Sequence, residues 1–195
     1  MSYLQNTFCD ATIGMTDQSE LLKRVLAHDR MAQKQLYEMH ASKMLGVCYR
    51  YCGNRDDAEE VMQQAFVKVF MQIETFRNDG SLEGWIRKVM TNTALNFLKQ
   101  KRKIEFDELE NVSELISVNS DALENFDVKQ LMHYVAQLPA GYRTVLNLYA
   151  IEGYSHKEIG QMLSITESTS RSQYTRAKKM LAEKIQLPSQ YVKHE

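Results

Sequence analysis

Residues 54–73 read NRDDAEEVMQQAFVKVFMQI, and the pattern of this stretch decides the fold. Asn54 is a good N-cap, and Asp56, Asp57, Glu59 and Glu60 crowd the first turns, where the helix dipole favours negative charge. Ala58, Val61, Met62, Ala65, Phe66, Val69, Phe70 and Ile73 then recur at three-four spacing, which predicts a helix burying one narrow stripe. Glu59, Glu60, Gln63, Gln64 and Lys68 fall off that stripe and are expected to face outward or toward a partner.

Working outward, Asp17 with Glu20 forms a plausible capping pair before Leu21, Leu22, Val25 and Leu26. A longer helix is predicted from about Met31 to Tyr51, and Gly53 suits the residue that closes it. Downstream, Asn78-Asp79-Gly80-Ser81 is a turn, and a fourth helix runs from Leu82 to about Lys101. Trp85 is in phase with Val89 and is expected in the core. These four helices make one bundle. Only two prolines occur, Pro139 and Pro188, and no stretch alternates with period two, so the whole chain reads as all-α.

Two small helical bundles are expected, joined by an acidic linker. Residues 1–16 read as a flexible N-terminus, 17–103 as the first bundle, 104–124 as the linker, 125–187 as the second bundle and 188–195 as a tail. In the second bundle, Val128, Leu131, Met132, Val135 and Leu138 form a first apolar stripe, broken at Pro139-Ala140-Gly141. Val145, Leu146, Leu148 and Tyr149 belong to a helix that stops at Glu152-Gly153. Ser155 and Glu158 make a capping box for a helix reaching about Leu163, with Ile159, Met162 and Leu163 buried. Ser164-Ile165-Thr166 is a tight turn, and Thr166 caps a last helix carrying Ser168, Thr169, Arg171, Ser172, Thr175, Arg176, Lys178 and Lys179 outward. Two helices, a tight turn and a polar, basic second helix fit a helix-turn-helix, whose second helix must enter a major groove and offer donors to bases and phosphates.

The formal net charge is −1, yet the charges are segregated. Between Ser81 and Lys103, Arg87, Lys88, Lys99, Lys101, Arg102 and Lys103 face Glu83 alone, and Arg171 to Lys184 is similarly basic. Ile104 to Val128 lacks Lys and Arg and holds Glu105, Asp107, Glu108, Glu110, Glu114, Asp121, Glu124 and Asp127. Two local positive fields can therefore exist in a nearly neutral protein. The N-terminus does not resemble a signal peptide and no apolar run suffices to cross a bilayer, so a cytoplasmic protein without membrane insertion is expected. Cys9, Cys48 and Cys52 give no disulfide framework. His40, Cys48 and Cys52 lack a fourth ligand at metal spacing, so the two later cysteines read as small buried side chains. No metal, cofactor or catalytic residue is expected.

In order and spacing, several strings resemble the sigma-70 family, in particular its two-domain extracytoplasmic-function (ECF) members, which keep only regions 2 and 4. They are Asp57 to Phe66, Gly84 to Asn92 continuing through Asn96, Leu138-Pro139 with Tyr142-Arg143, and Tyr154 to Leu163 with Arg171-Ser172 and Arg176-Ala177. The resemblance covers roughly Leu21 to Lys184. It implies a transcription initiation factor that binds core RNA polymerase and promoter DNA and is held by an anti-sigma factor. Glu60, Gln63 and Gln64 would meet the clamp helices of the largest polymerase subunit. Gln is an odd choice for a merely solvated face, where Lys/Glu pairs solubilise better. Phe76, Asn78, Ser81, Arg87, Asn92 and Asn96 would capture the −10 element as single strand, with one base flipped into a pocket. Thr169, Arg171, Ser172, Thr175, Arg176 and Lys179 would read the −35 element. The sequence departs from the family at Ser168 and Ser170, where Gly and Val are commoner, and at Gln173 and Thr175.

Three other classes remain open on the sequence alone. A helix-turn-helix regulator would bind duplex DNA without polymerase, a metalloprotein would use His40, Cys48 and Cys52, and a helical adaptor would bind no DNA. On the sigma-like reading, each DNA reader is weak alone and polymerase makes the pair bivalent. The acidic segment is then expected to mimic nucleic acid in the polymerase channel and to cover the basic faces in the free protein.

Overall fold

A computed structural model describes residues 19–108 and 128–185. The N-terminal segment, Asp17, most of the acidic segment and the tail therefore lie outside the described residues. Helix α1 covers residues 19–26, followed by α2 (Arg30–Cys52), α3 (Arg55–Gln72), a short 3-10 turn (Ile73–Thr75) and α4 (Leu82–Glu108). Then come α5 (Val128–Ala136), α6 (Ala140–Leu146), a π turn (Asn147–Ile151), α7 (His156–Leu163) and α8 (Glu167–Ile185). Among the described residues there is no β-strand, and no helix is long and apolar enough to cross a membrane.

Local chemistry accounts for the helix ends. The Asp29 carboxylate accepts from the backbone N–H of Met31 and Ala32 to start α2, and Gly53 closes it at φ 81, a left-handed conformation that favours glycine. Asn54 accepts from Asp57 N–H and so caps α3. The deciding stripe behaves as its spacing predicts: Ala58, Val61, Met62, Ala65, Phe66 and Val69 are buried. They pack on Leu36, Met44, Val47 and Cys48 of α2 and on Ile86, Met90 and Ala94 of α4. Removing each large apolar side chain from water is worth about 1.5–3 kcal/mol, and these residues carry most of the first bundle's stability. Tyr37 adds an edge-on contact to Phe66 with ring centroids 4.7 Å apart.

Four details differ from the sequence reading. Helix α4 does not stop near Lys101 but continues to Glu108, into the segment read as linker. Acidic, weakly periodic residues concealed that continuation, since nothing among them forbids a helix. The break before α6 spans Gln137 to Pro139, with Pro139 at the N-cap position of α6 and Ala140-Gly141 already helical. That suits a residue whose missing N–H would be unsatisfied there anyway. Lys68 is half-buried and reaches across to donate to the Thr93 hydroxyl at 3.3 Å. Trp85 is only partly buried.

The second bundle gathers Val135, Leu138, Leu146 and Ala177 into a small core. Its Val145, Leu148 and Ile159 instead join the core of the first bundle, so the two bundles pack on each other. The thiols of Cys48 and Cys52 are buried and free, and burial pushes both up to about 12, so neither ionises near neutral pH. His40 is buried on the same helix.

Candidate nucleic-acid interface

Helix α4 offers the first face. Lys88, Asn92 and Asn96 are exposed and succeed one another at i, i+4 and i+8, with Lys99 completing the row. Trp85 precedes Asn92 by two turns and Asn96 by three, which places it on this same face and explains its partial exposure. Its ring lies 5.8 Å from that of Phe76, which is half-buried in the turn before α4. An aromatic pair thus stands at the head of a row of amides and ammonium groups, the ingredients of a single-strand groove: rings to stack on and donors to read base edges. Asn78 is exposed in that turn at φ 58, and Ser81 is engaged in starting α4, accepting from Gly84 N–H at 3.4 Å.

Arg87 is not brought to this row. It sits about 140° around the helix from Asn92, half-buried, and donates to Glu83 at 3.4 Å. Glu83 also accepts from Lys43 at 2.8 Å, and that hydrogen bond is the main reason its carboxyl is held below the ordinary range. Arg87 therefore belongs to a small charged cluster bracing α4 against α2.

Helix α8 offers the second face. The Ser155–Glu158 capping box starts α7, with the Ser155 side chain accepting from Glu158 N–H and Glu158 accepting from Ser155 N–H at 2.8 Å. Thr166 accepts from Thr169 N–H at 3.0 Å and starts α8, so Thr169 is half-buried in the cap rather than free to reach outward. Arg171, Ser172, Arg176 and Lys179 are exposed. Arg171 donates to Glu167 at 2.7 Å, an exposed pair too weak to resist a better anion. Thr175 is half-buried, and Arg176 donates to the Tyr142 hydroxyl at 3.4 Å.

The sequence departure at Ser170 has a structural partner. Ser170 is fully buried and shares a 2.9 Å hydrogen bond with His156 Nδ1. The His156 ring stacks on Tyr149 with centroids 4.2 Å apart, and Tyr174 leans against both. A hydroxyl and an imidazole thus replace an apolar contact, fixing α8 on α7. Desolvation lowers the pKa of His156, favouring its neutral form.

A third face lies on α3. Glu60, Gln63 and Gln64 are exposed, and Gln64 donates to Glu60 at 3.0 Å. Two exposed apolar residues continue this face: Val67 is 59% exposed and Met71 77%. They escaped the sequence reading because it recorded the apolar residues of the buried stripe and not those outside it.

A family model for sigma-70 region 2 matches residues 36–104, and one for sigma-70 region 4 matches residues 129–181. The ECF RNA polymerase sigma-E factor of Haemophilus influenzae is 29% identical over 184 residues, covering 88% of this chain and 96% of that protein. The RNA polymerase sigma-H factor of Pseudomonas aeruginosa is 27% identical over 179 residues, covering 86% and 93%. A similar fold occurs in the sigma factor RpoE from Bartonella quintana, solved in complex with the anti-sigma factor NepR. The TM-score is 0.50 at 19% identity, with 79% of this chain and 96% of that chain covered.

Proposed function

This chain belongs to the sigma-70 family as an ECF member, and from that premise we infer that it binds core RNA polymerase and directs it to promoters. Region 2 reads the −10 element and region 4 the −35 element. The single observation that carries this is the succession, in one chain, of a region 2 match and a region 4 match. The protein acts by positioning another enzyme and performs no catalysis itself, and its place of work is the cytoplasm. An anti-sigma factor is its expected antagonist, the class of partner bound by the similar factor from Bartonella quintana.

In this reading the α3 face of Glu60, Gln63, Gln64, Val67 and Met71 docks on polymerase. Phe76, Asn78, Asn92 and Asn96 hold the unpaired −10 strand beside Trp85, with Ser81 and Arg87 shaping the turn and helix that present them. Arg171, Ser172, Thr175, Arg176 and Lys179 meet the −35 duplex, and Thr169 sets the start of the reading helix. We assign region 2 to residues 17–103 and region 4 to residues 125–187. Residues 104–124 join them, and that acidic stretch lies in the polymerase channel. With α4 continuing to Glu108, the sixteen residues left to extend, 109–124, span roughly 55 Å at most, against about 70 Å for two turns of duplex.

Gel shifts on duplex and forked promoter DNA, with and without core polymerase, test the assignment. The free chain should shift neither probe at concentrations where the holoenzyme shifts the fork. Strong duplex binding without polymerase would instead mark a free-standing regulator. In holoenzyme, Arg171→Ala should cost about 1–3 kcal/mol of discrimination against altered −35 sequences, read as a loss of preference of about five- to 150-fold.

A further inference from the structure

The α3 face carries the most exposed methionine of the described residues. Met71 is 77% exposed, against 66% for Met31 and 54% for Met39 on α2. Met44, Met62 and Met90 are buried in the core of the first bundle, and Met132, Met162 and Met180 are half-buried. A thioether needs no ionisation to react with an oxidant, so accessibility decides which sulfur is attacked. A thiol reacts as its thiolate. Cys48 and Cys52 are both buried and held protonated, and are shielded twice over.

Met71 lies in the last turn of α3, one turn beyond Val67 and two beyond Gln64. In the free chain its side chain stands in water and has little packing to lose, so a change of polarity there leaves the fold intact. Under a docked partner the same change is costly. Oxidation turns a flexible apolar side chain into a polar one whose oxygen is a hydrogen-bond acceptor. The last turn of α3 holds no basic side chain, and Lys68, one turn back, is directed to the Thr93 hydroxyl at 3.3 Å. The carbonyls that end a helix add negative charge at this place. The helix therefore offers the new oxygen no cation, and docking would bury it unpaired.

We propose that Met71 is an oxidation-controlled contact: core polymerase binds the chain in its thioether form and releases it in its sulfoxide form. A peroxide supplies the oxygen. The thioether sulfur gives a lone pair to one peroxide oxygen, and an S–O bond forms as the O–O bond breaks. The departing hydroxide takes the proton of the transferred oxygen and leaves as water. Sulfur is oxidised by two electrons and the peroxide is reduced by two. Return requires two thiols, which become a disulfide while the sulfoxide oxygen leaves as water. Sensitivity of Met71 stands on its exposure, while the effect on polymerase rests on the functional reading above. The free chain is the sensitive form, since docking covers the sulfur.

Hydrogen peroxide added to the full chain, alone and as holoenzyme, tests this. Sulfoxide is located by peptide mass mapping, and core affinity is read by fluorescence anisotropy after catalase has removed the peroxide. In the free chain Met71 should be converted before the buried methionines, and affinity should fall about fivefold. In holoenzyme Met71 should be protected while Met31 and Met39 still react. Methionine sulfoxide reductases A and B with dithiothreitol should restore the affinity. Each variant is compared with its own untreated form: Met71→Leu should lose the response, and Met31→Leu with Met39→Leu should keep it. A response that survives Met71→Leu, or full conversion of Met71 with affinity undiminished, would overturn the proposal. If Val67→Asp with Met71→Asp then still weakens binding, the docking face stands and only the oxidation control is lost. If it does not, the assignment of the α3 face to polymerase fails as well.

Discussion

The double substitution Val67→Asp with Met71→Asp is expected to weaken binding to core polymerase at least tenfold while leaving thermal unfolding almost unchanged. The two side chains are 59% and 77% exposed, so removing them deletes little buried area in the free protein. Aspartates at the end of α3 oppose the helix dipole, which costs only a few tenths to about 1 kcal/mol at the surface. In the complex the balance differs. Val67 and Met71 stand one and two turns beyond Gln63 and Gln64, and an apolar centre beside polar amides is the usual composition of an interface hot spot. Burying two unpaired carboxylates there costs several kcal/mol. Affinity for core measured by fluorescence anisotropy, beside a melting curve, separates the outcomes. Undiminished affinity would move the docking face elsewhere, and a collapse of the melting temperature would make the residues structural.

Gly160→Ala should destabilise and shift the helix-turn-helix and weaken recognition of −35 promoters, although alanine is the better helix former. Gly160 lies within α7 and is buried, and a Cβ would come 2.8 Å from Ile165 O, a backbone atom that cannot swing aside. Ile165 N–H donates to Gly160 O at 3.0 Å, so the turn is folded tightly back on this residue. Overpacking of this kind costs about 1–3 kcal/mol, which outweighs the ~1 kcal/mol gain in helix propensity. The substitution should lower the melting temperature and reduce −35-dependent transcription while leaving the affinity for polymerase unchanged. A variant as stable as the parent with unaltered promoter use would contradict the packing argument.

Much of this was legible in the sequence because it depends on local rules. Asn54, Gly53 and the Ser155–Glu158 pair announce helix ends through their own hydrogen-bonding chemistry, and the three-four stripe from Ala58 to Ile73 states which face of α3 is buried. The basic face of α8 was found in the same way, whereas Asn92 and Asn96 were singled out through the resemblance to the family. What escaped is what depends on contacts distant in sequence. Arg143 entered only as part of the string that ends Tyr142-Arg143, and only the meeting of α6 with α2, more than ninety residues away, makes it a buried cap. Arg87 counted among the basic residues of α4 but turns toward Glu83. Trp85 was read by size and by its phase with Val89, whereas its phase with Asn92 and Asn96 places it on the polar face of α4. Ser170 looked like a departure until its partner His156, fourteen residues away, was seen.

Run-off transcription by core polymerase lacking any other specificity subunit, on fragmented genomic DNA, tests the central claim most directly. Addition of the purified chain should produce transcripts from discrete start sites that core alone does not use. Inserting about five base pairs, half a helical turn, between the two recognised elements should silence them. Transcripts no different from those of core alone, or start sites indifferent to that insertion, would contradict a chain that works by holding two readers at a set distance.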